Sequence, residues 1–148
     1  MLSPVAIVGS PAVFGFPVSQ LVASPSIQHR FALSMNSPSQ IPLELSCTEV
    51  RGQLDREEEF LLLDCREEAE FAHVRIEGAT LLPMSEIQQR SGEIEEWKGR
   101  PVVVYCHHGG RSLQVTHWLR QQGWEQAQSM AGGIDVWAVE IDPSLPRY

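Results

Sequence analysis

The chain has 148 residues, with 19 acidic against 11 basic side chains and a formal charge of −8. That length suits one domain with a real core. The charge argues against a nucleic-acid-binding surface, which needs clustered Lys and Arg. Its 3 cysteines form no C-x-x-C pair, so a disulfide framework is excluded and free thiols in a reducing, cytoplasmic setting are expected.

The acidic residues all lie from Glu44 onward, whereas residues 1–43 carry Arg30 as their one charged side chain and are rich in Ser, Pro, Gly and Val. The folded domain is therefore expected over residues 41–148, with 1–40 a disordered or mis-assigned extension. Met1 to Pro17 has no Lys or Arg for a secretory n-region, and an organelle transit peptide would carry more arginines. Pro and Gly break the segment too often for it to span a membrane. Met35 is an alternative start, a few residues ahead of the first strand.

From Ile41 the pattern alternates. Ile41 to Leu45 reads as a short strand. Ser46-Cys47-Thr48-Glu49 fits a capping box, in which Ser46 and Glu49 satisfy orphan amides at the start of a helix running to about Asp55. Phe60 to Asp64 is a continuous apolar run ending in Asp, as expected of a strand buried on both faces. Glu67 to Ala72 is a short acidic helix, Ala79 to Pro83 a strand, and Ser85 to Arg90 a helix. Pro101 to Cys106 is the most hydrophobic strand. Arg111 to Gln122 is a helix with Val115, Trp118 and Leu119 on one face, stopped by Gly123. Ala127 to Met130 is a last strand and Gly133 to Val139 a last helix. Strands alternating with helices imply an α/β fold with a mainly parallel sheet covered on both faces. Ligands of such sheets bind beyond the carboxyl ends of the strands, and Cys106 sits at one.

The stretch Cys106-His107-His108-Gly109-Gly110-Arg111-Ser112 carries the chemistry. A thiol reacts as thiolate, and its pKa falls at a helix N-terminus or beside a cation. Cys106 has both features: the helix that follows directs unpaired N–H groups at the loop, and Arg111 adds a permanent charge. Gly109 and Gly110 let the backbone curl so that successive N–H groups face inward as an anion-binding nest. Such a nest holds a thiolate, a persulfide or an adjoining oxyanion, and strand, nucleophile, glycine turn and helix together make a nucleophile site.

This loop resembles the C-x-x-G-x-R-[ST] active-site loop of the rhodanese-like sulfurtransferases. Asp64-Cys65-Arg66 with Glu70-Phe71 resembles the family's D-x-R…E-F segment. Ile76-Glu77-Gly78-Ala79 with Pro83 resembles its I-x-G-A…I-P segment, and Gly132-Gly133-Ile134 with Trp137 its closing G-G-[IVFW]-x-x-W motif. The landmarks keep the family's order from about Leu43 onward. One departure is Val74-Arg75, where the family usually has Gly-His.

The resemblance implies the rhodanese-like fold, with a five-stranded, mainly parallel sheet and helices on both faces. It also implies a two-step exchange. Cys106 takes a sulfane sulfur from thiosulfate or a persulfide donor, then passes it to a thiol, cyanide or a carrier protein. No metal or organic cofactor is required. Related phosphatases and arsenate reductases use Cys-x5-Arg; here the loop from Cys106 to Arg111 is one residue shorter, which suits a sulfur atom better than a phosphate. The other alternative is a non-catalytic rhodanese-like binding or regulatory module; retention of Cys106, Gly109 and Arg111 favours the enzyme.

Other residues have blander readings. His107 and His108 either hydrogen-bond a donor's oxyanion or fill the loop. Asp64 and Arg66 read as supports for the active loop. Cys65 is most simply a small buried hydrophobe, the alternative being a resolving thiol for Cys106. Cys47 reads as structural, though its place at a helix start would make it somewhat acidic. A zinc site lacks paired ligand spacing. The runs Glu57-Glu58-Glu59 and Glu67-Glu68-Ala69-Glu70 read as solvated faces, and the tryptophans as core or rim. The C-terminal IDPSLPRY resembles tails of rhodanese-like domains fused to adenylyltransferases, which implies a sulfur-carrier protein as a further partner.

Overall fold

The computed structural model describes residues 41–148; the extension expected over 1–40 lies outside the described residues. Five parallel strands form one sheet in the order β1-β5-β4-β2-β3. They are β1 Glu44–Leu45, β2 Leu61–Asp64, β3 Thr80–Leu81, β4 Val102–Tyr105 and β5 Ala127–Met130. The most hydrophobic segment, β4, is central, because only a strand with neighbours and helices on every side can bury four consecutive apolar residues. β2 is buried at all its positions too, Asp64 included.

The helices are α1 Cys47–Asp55, α2 Glu68–His73, α3 Ile87–Arg90, α4 Gly110–Gln121 and α5 Gly133–Glu140. The capping box at α1 is present: Glu49 N–H donates to Ser46 Oγ at 3.2 Å, and Ser46 N–H to Glu49 Oε2 at 2.8 Å. Ser85 and Glu86 lie in a turn ahead of α3, and a 3-10 helix, Ser91–Trp97, follows it with only Ile94 and Trp97 turned to the core. β1 and β3 are shorter than their apolar patterns suggested, since pairing in this sheet is confined to two residues of each.

Strand pleating sorts the core into two layers. Leu61, Leu63, Val102 and Val104 face α3 and α4, packing on Ile87, Val115, Leu119 and Trp124. Leu62, Val103 and Tyr105 face α1 and α5, packing on Val50, Ile134 and Trp137. Cys65 and Cys106 continue the first layer past the strand ends. Side chains such as Leu63 and Val104, at 0 % exposure, each contribute about 1.5–3 kcal/mol by burial. Among the described residues, no helix is long and apolar enough to cross a membrane.

Candidate active site

Cys106 leaves the end of β4, and α4 begins four residues later at Gly110. Between them the chain reverses through Gly109, whose φ of 101° is a left-handed conformation that a Cβ would strain. This turn aims the Gly109 N–H at Cys106 Sγ, 3.1 Å away. The adjacent Cys65 thiol is the largest influence holding the Cys106 thiol well below its ordinary range; burial opposes it, and the N–H groups of Ser112 and Gly109 reinforce it. The α4 N-terminus acts in the same direction. Ser112 Oγ donates to Gly109 O at 3.0 Å and therefore accepts from Ser129 Oγ at 2.9 Å, which ties the loop to β5. The nest closes tightly over its sulfur: Cys106 is only 1 % exposed.

A second helix start fixes the loop from behind. The N–H groups of Ile134 and Asp135, in the first turn of α5, donate to the carbonyls of Cys106 at 2.9 Å and His107 at 3.1 Å. With those carbonyls held outward, the following amides are free to turn inward. The approach is so close that a Cβ on Gly133 would overlap both carbonyl oxygens. The closing Gly-Gly motif is therefore a docking surface for the active loop.

The rim is a connected set of side chains. Both terminal nitrogens of Arg111 donate to Glu70, each at 2.7 Å. Arg111 pulls the Glu70 carboxyl down to about 2, against partial burial. The Tyr148 hydroxyl donates to Glu70 Oε1 at 3.1 Å and accepts from Arg66 Nη1 at 2.7 Å. The Tyr148 ring stacks on His107 at 4.2 Å between centroids, and His107 stacks on His108 at 3.9 Å. Burial, then the neighbouring His108, lowers the His107 pKa. His108 is exposed, with Nδ1 3.8 Å from Asp135.

Beneath the rim lies a buried ion pair. Arg66, 0 % exposed, donates through Nε and Nη2 to Asp64, and through Nη2 to Val74 O at 2.7 Å. The pair fastens the end of β2 to the segment after α2 through a backbone carbonyl. That explains how Val74 and Arg75 stand where the family pattern has Gly-His: the contact uses no side chain at Val74, and Arg75 is exposed over the Phe71 ring.

Of the residues singled out in the sequence, Cys106, Gly109 and Ser112 converge on one point. His107, His108 and Arg111 stand at the rim, Gly110 is exposed at the start of α4, and Asp64 and Arg66 support the loop from below. Two expectations are corrected. Glu70 is no free solvated acid, because Arg111 and Tyr148 hold it. Cys47 is no acidic thiol: burial, then the Glu140 charge, pushes it up to about 11, and its S–H lies 3.5 Å from Ala131 O at the turn into α5. The ion partner of Arg111 and the roles of Ser129, Gly133 and Tyr148 had no local signal beyond the motif positions of Glu70 and Gly133.

Comparison with known proteins now bears on this geometry. A family model described as Rhodanese-like domain matches residues 46–140. The chain belongs to the rhodanese-like family. A sulfurtransferase of Allochromatium vinosum is 40 % identical over 95 residues, covering 64 % of this chain and 87 % of that protein. The probable adenylyltransferase/sulfurtransferase MoeZ of Mycobacterium tuberculosis is 33 % identical over 100 residues, 68 % of this chain. The chain spans only about a quarter of MoeZ's length. Among solved structures, the human single-domain sulfurtransferase TSTD1 is 25 % identical with a TM-score of 0.60, covering 67 % of this chain and 97 % of that one. These relatives of the rhodanese-like domain support sulfur transfer as its general activity.

Proposed function

We propose that this rhodanese-like domain is a sulfurtransferase that carries sulfane sulfur as a Cys106 persulfide. The observation that carries the reading is the Cys106 sulfur at a strand end, bonded by the Gly109 N–H at 3.1 Å and faced by the N-terminus of α4, surroundings that hold its pKa well below the ordinary thiol range. In the first half-reaction, the Cys106 thiolate attacks the outer sulfur of thiosulfate or of a persulfide. A sulfur–sulfur bond forms, the donor's sulfur–sulfur bond breaks, and sulfite or a thiolate leaves with the electron pair. In the second, an acceptor thiolate or cyanide attacks the outer sulfur of the persulfide and Cys106 leaves as thiolate. Every species is an anion at the moment of exchange, so fixed amide dipoles stabilise each in turn without reorganising.

A sulfur-carrier protein is the acceptor that the relatives suggest. MoeZ joins adenylyl and sulfur transfer in one chain, and a putative sulfur carrier protein of Bacillus subtilis, YrkF, is 28 % identical over 104 residues. Such a carrier would take the outer sulfur of the Cys106 persulfide. Phosphatase chemistry fits less well, because both terminal nitrogens of Arg111 are engaged by Glu70.

The test is intact mass after exposure to thiosulfate. Sampled immediately after loading, the wild type should carry one extra sulfur atom and hand it at once to an added thiol or cyanide, while Cys106→Ser gains none. A wild type that takes no sulfur from thiosulfate or from organic persulfides would leave the binding-module reading in its place.

A further inference from the structure

Cys65 is a buried thiol to which this mechanism gives no bond-making role. Asp64 and Tyr105 are partners in the parallel β2–β4 ladder. The ladder continues one step further, since Cys65 N–H donates to Tyr105 O at 3.0 Å. Cys65 and Cys106 are thus the next residues of two neighbouring strands, both 1 % exposed or less and both in the layer facing α3 and α4. Neighbouring strands run about 4.8 Å apart, and disulfides bridge Cα atoms about 4.4–6.8 Å apart. Cys47, by contrast, belongs to the opposite layer.

We infer that Cys65 is a resolving thiol, which captures the oxidised sulfur on Cys106 from the core side and closes a Cys65–Cys106 disulfide. This rests on the sulfur-transfer reading for its main substrate, the persulfide. Cys65 Sγ bonds to Cys106 Sγ, and the bond from Cys106 to the outer sulfur breaks. That outer sulfur takes the electron pair and the Cys65 proton and departs as hydrosulfide. The outer sulfur is reduced and the two cysteines are oxidised together, so no further oxidant is needed. The same capture follows attack by a peroxide. The Cys106 thiolate becomes a sulfenic acid with loss of hydroxide, and condensation with Cys65 expels water. A low-molecular-weight dithiol restores both thiols. In the resting site the neighbouring Cys106 thiolate, then burial, raises the Cys65 pKa strongly and keeps that thiol protonated; once Cys106 carries the persulfide, the Cys65 proton passes to the anionic outer sulfur and Cys65 attacks as thiolate. The device makes the domain a sulfide-releasing enzyme when no acceptor is present, and guards Cys106 against irreversible oxidation.

The experiment uses the full chain, loaded with thiosulfate, freed of excess donor and left without acceptor. The wild type should release one sulfide per chain and become two hydrogens lighter than the reduced protein, with peptide mapping joining Cys65 to Cys106. Cys65→Ser and Cys65→Ala should keep the extra sulfur and release none. A wild type that holds its extra sulfur as long as the variants overturns the inference. If no form takes up sulfur, the sulfur-transfer reading has failed and a peroxide arm decides alone. There the wild type should stop at the Cys65–Cys106 disulfide while the Cys65 variants proceed to sulfinic acid; over-oxidation at equal rates, or pairing through Cys47, refutes the role of Cys65.

Discussion

Replacing Gly133 by Ala tests whether the start of α5 shapes the active loop. Gly133 has φ of 61°, a conformation that costs a residue with a Cβ about 1–2 kcal/mol. Its new Cβ would overlap the Cys106 and His107 carbonyl oxygens, which cannot retreat without breaking their bonds from Ile134 and Asp135. Each bond lost costs about 0.5–1.5 kcal/mol. The expected destabilisation is about 2–5 kcal/mol, read as a lowered urea midpoint at unchanged slope. The second expected effect is chemical. Freed carbonyls let the loop relax, the Gly109 N–H swings off the sulfur, and the Cys106 thiolate titrates at higher pH. The pH dependence of iodoacetamide alkylation at Cys106 reads this directly. Gly92→Ala is the control, since Gly92 has an ordinary backbone and nothing near its Cβ position. If Gly133→Ala lies within about 1 kcal/mol of wild type and its alkylation profile does not move, the docking argument is wrong.

Other outcomes follow from the rim. Glu70 is held at about 2 from an ordinary 4.5, so its contribution to stability is present above 4.5 and lost as pH falls toward 2. After allowance for the partial exposure of the pair, that contribution is about 1–2 kcal/mol. Glu70→Gln should therefore lower the Tm at pH 6 and match wild type near pH 2; a gap that persists in acid would mean a different cause. Tyr148→Ala should speed alkylation of Cys106 several-fold by removing the ring over His107. Tyr148→Phe should keep that ring and lose only about 1 kcal/mol of hydrogen bonding to Arg66 and Glu70. Equal alkylation rates in all three proteins would show that Tyr148 does not govern access. Lysines in place of His107 and His108 should lower the KM for thiosulfate by placing permanent charge at the mouth, and an unchanged KM would exclude the histidines from donor binding.

Chain-local chemistry was legible before any coordinates. The apolar run into Cys106, the glycines after it and the amphipathic helix beyond mark a candidate nucleophile on a strand–loop–helix turn, because each signal spans only a few residues. Ser46 and Glu49 announced their own capping box in the same way. The 3-10 helix at Ser91–Trp97 has only Ile94 and Trp97 to mark its buried side, too few to declare a period among Ser, Gly and Glu.

What only the tertiary structure decided are the partners far apart in the chain. Arg111 meets Glu70 across 41 residues, and Tyr148 meets Glu70 across 78. Cys65 meets Cys106 solely because β2 and β4 pair in one register. Shifting that register by a residue would turn one sulfur to the opposite face of the sheet. The amino-acid sequence by itself determined the candidate nucleophile and the turn that holds it, since both depend on neighbouring φ/ψ choices and side-chain types. The closure of the rim and the meeting of two thiols depended on how the sheet assembled, where strand order and burial choose each residue's neighbours.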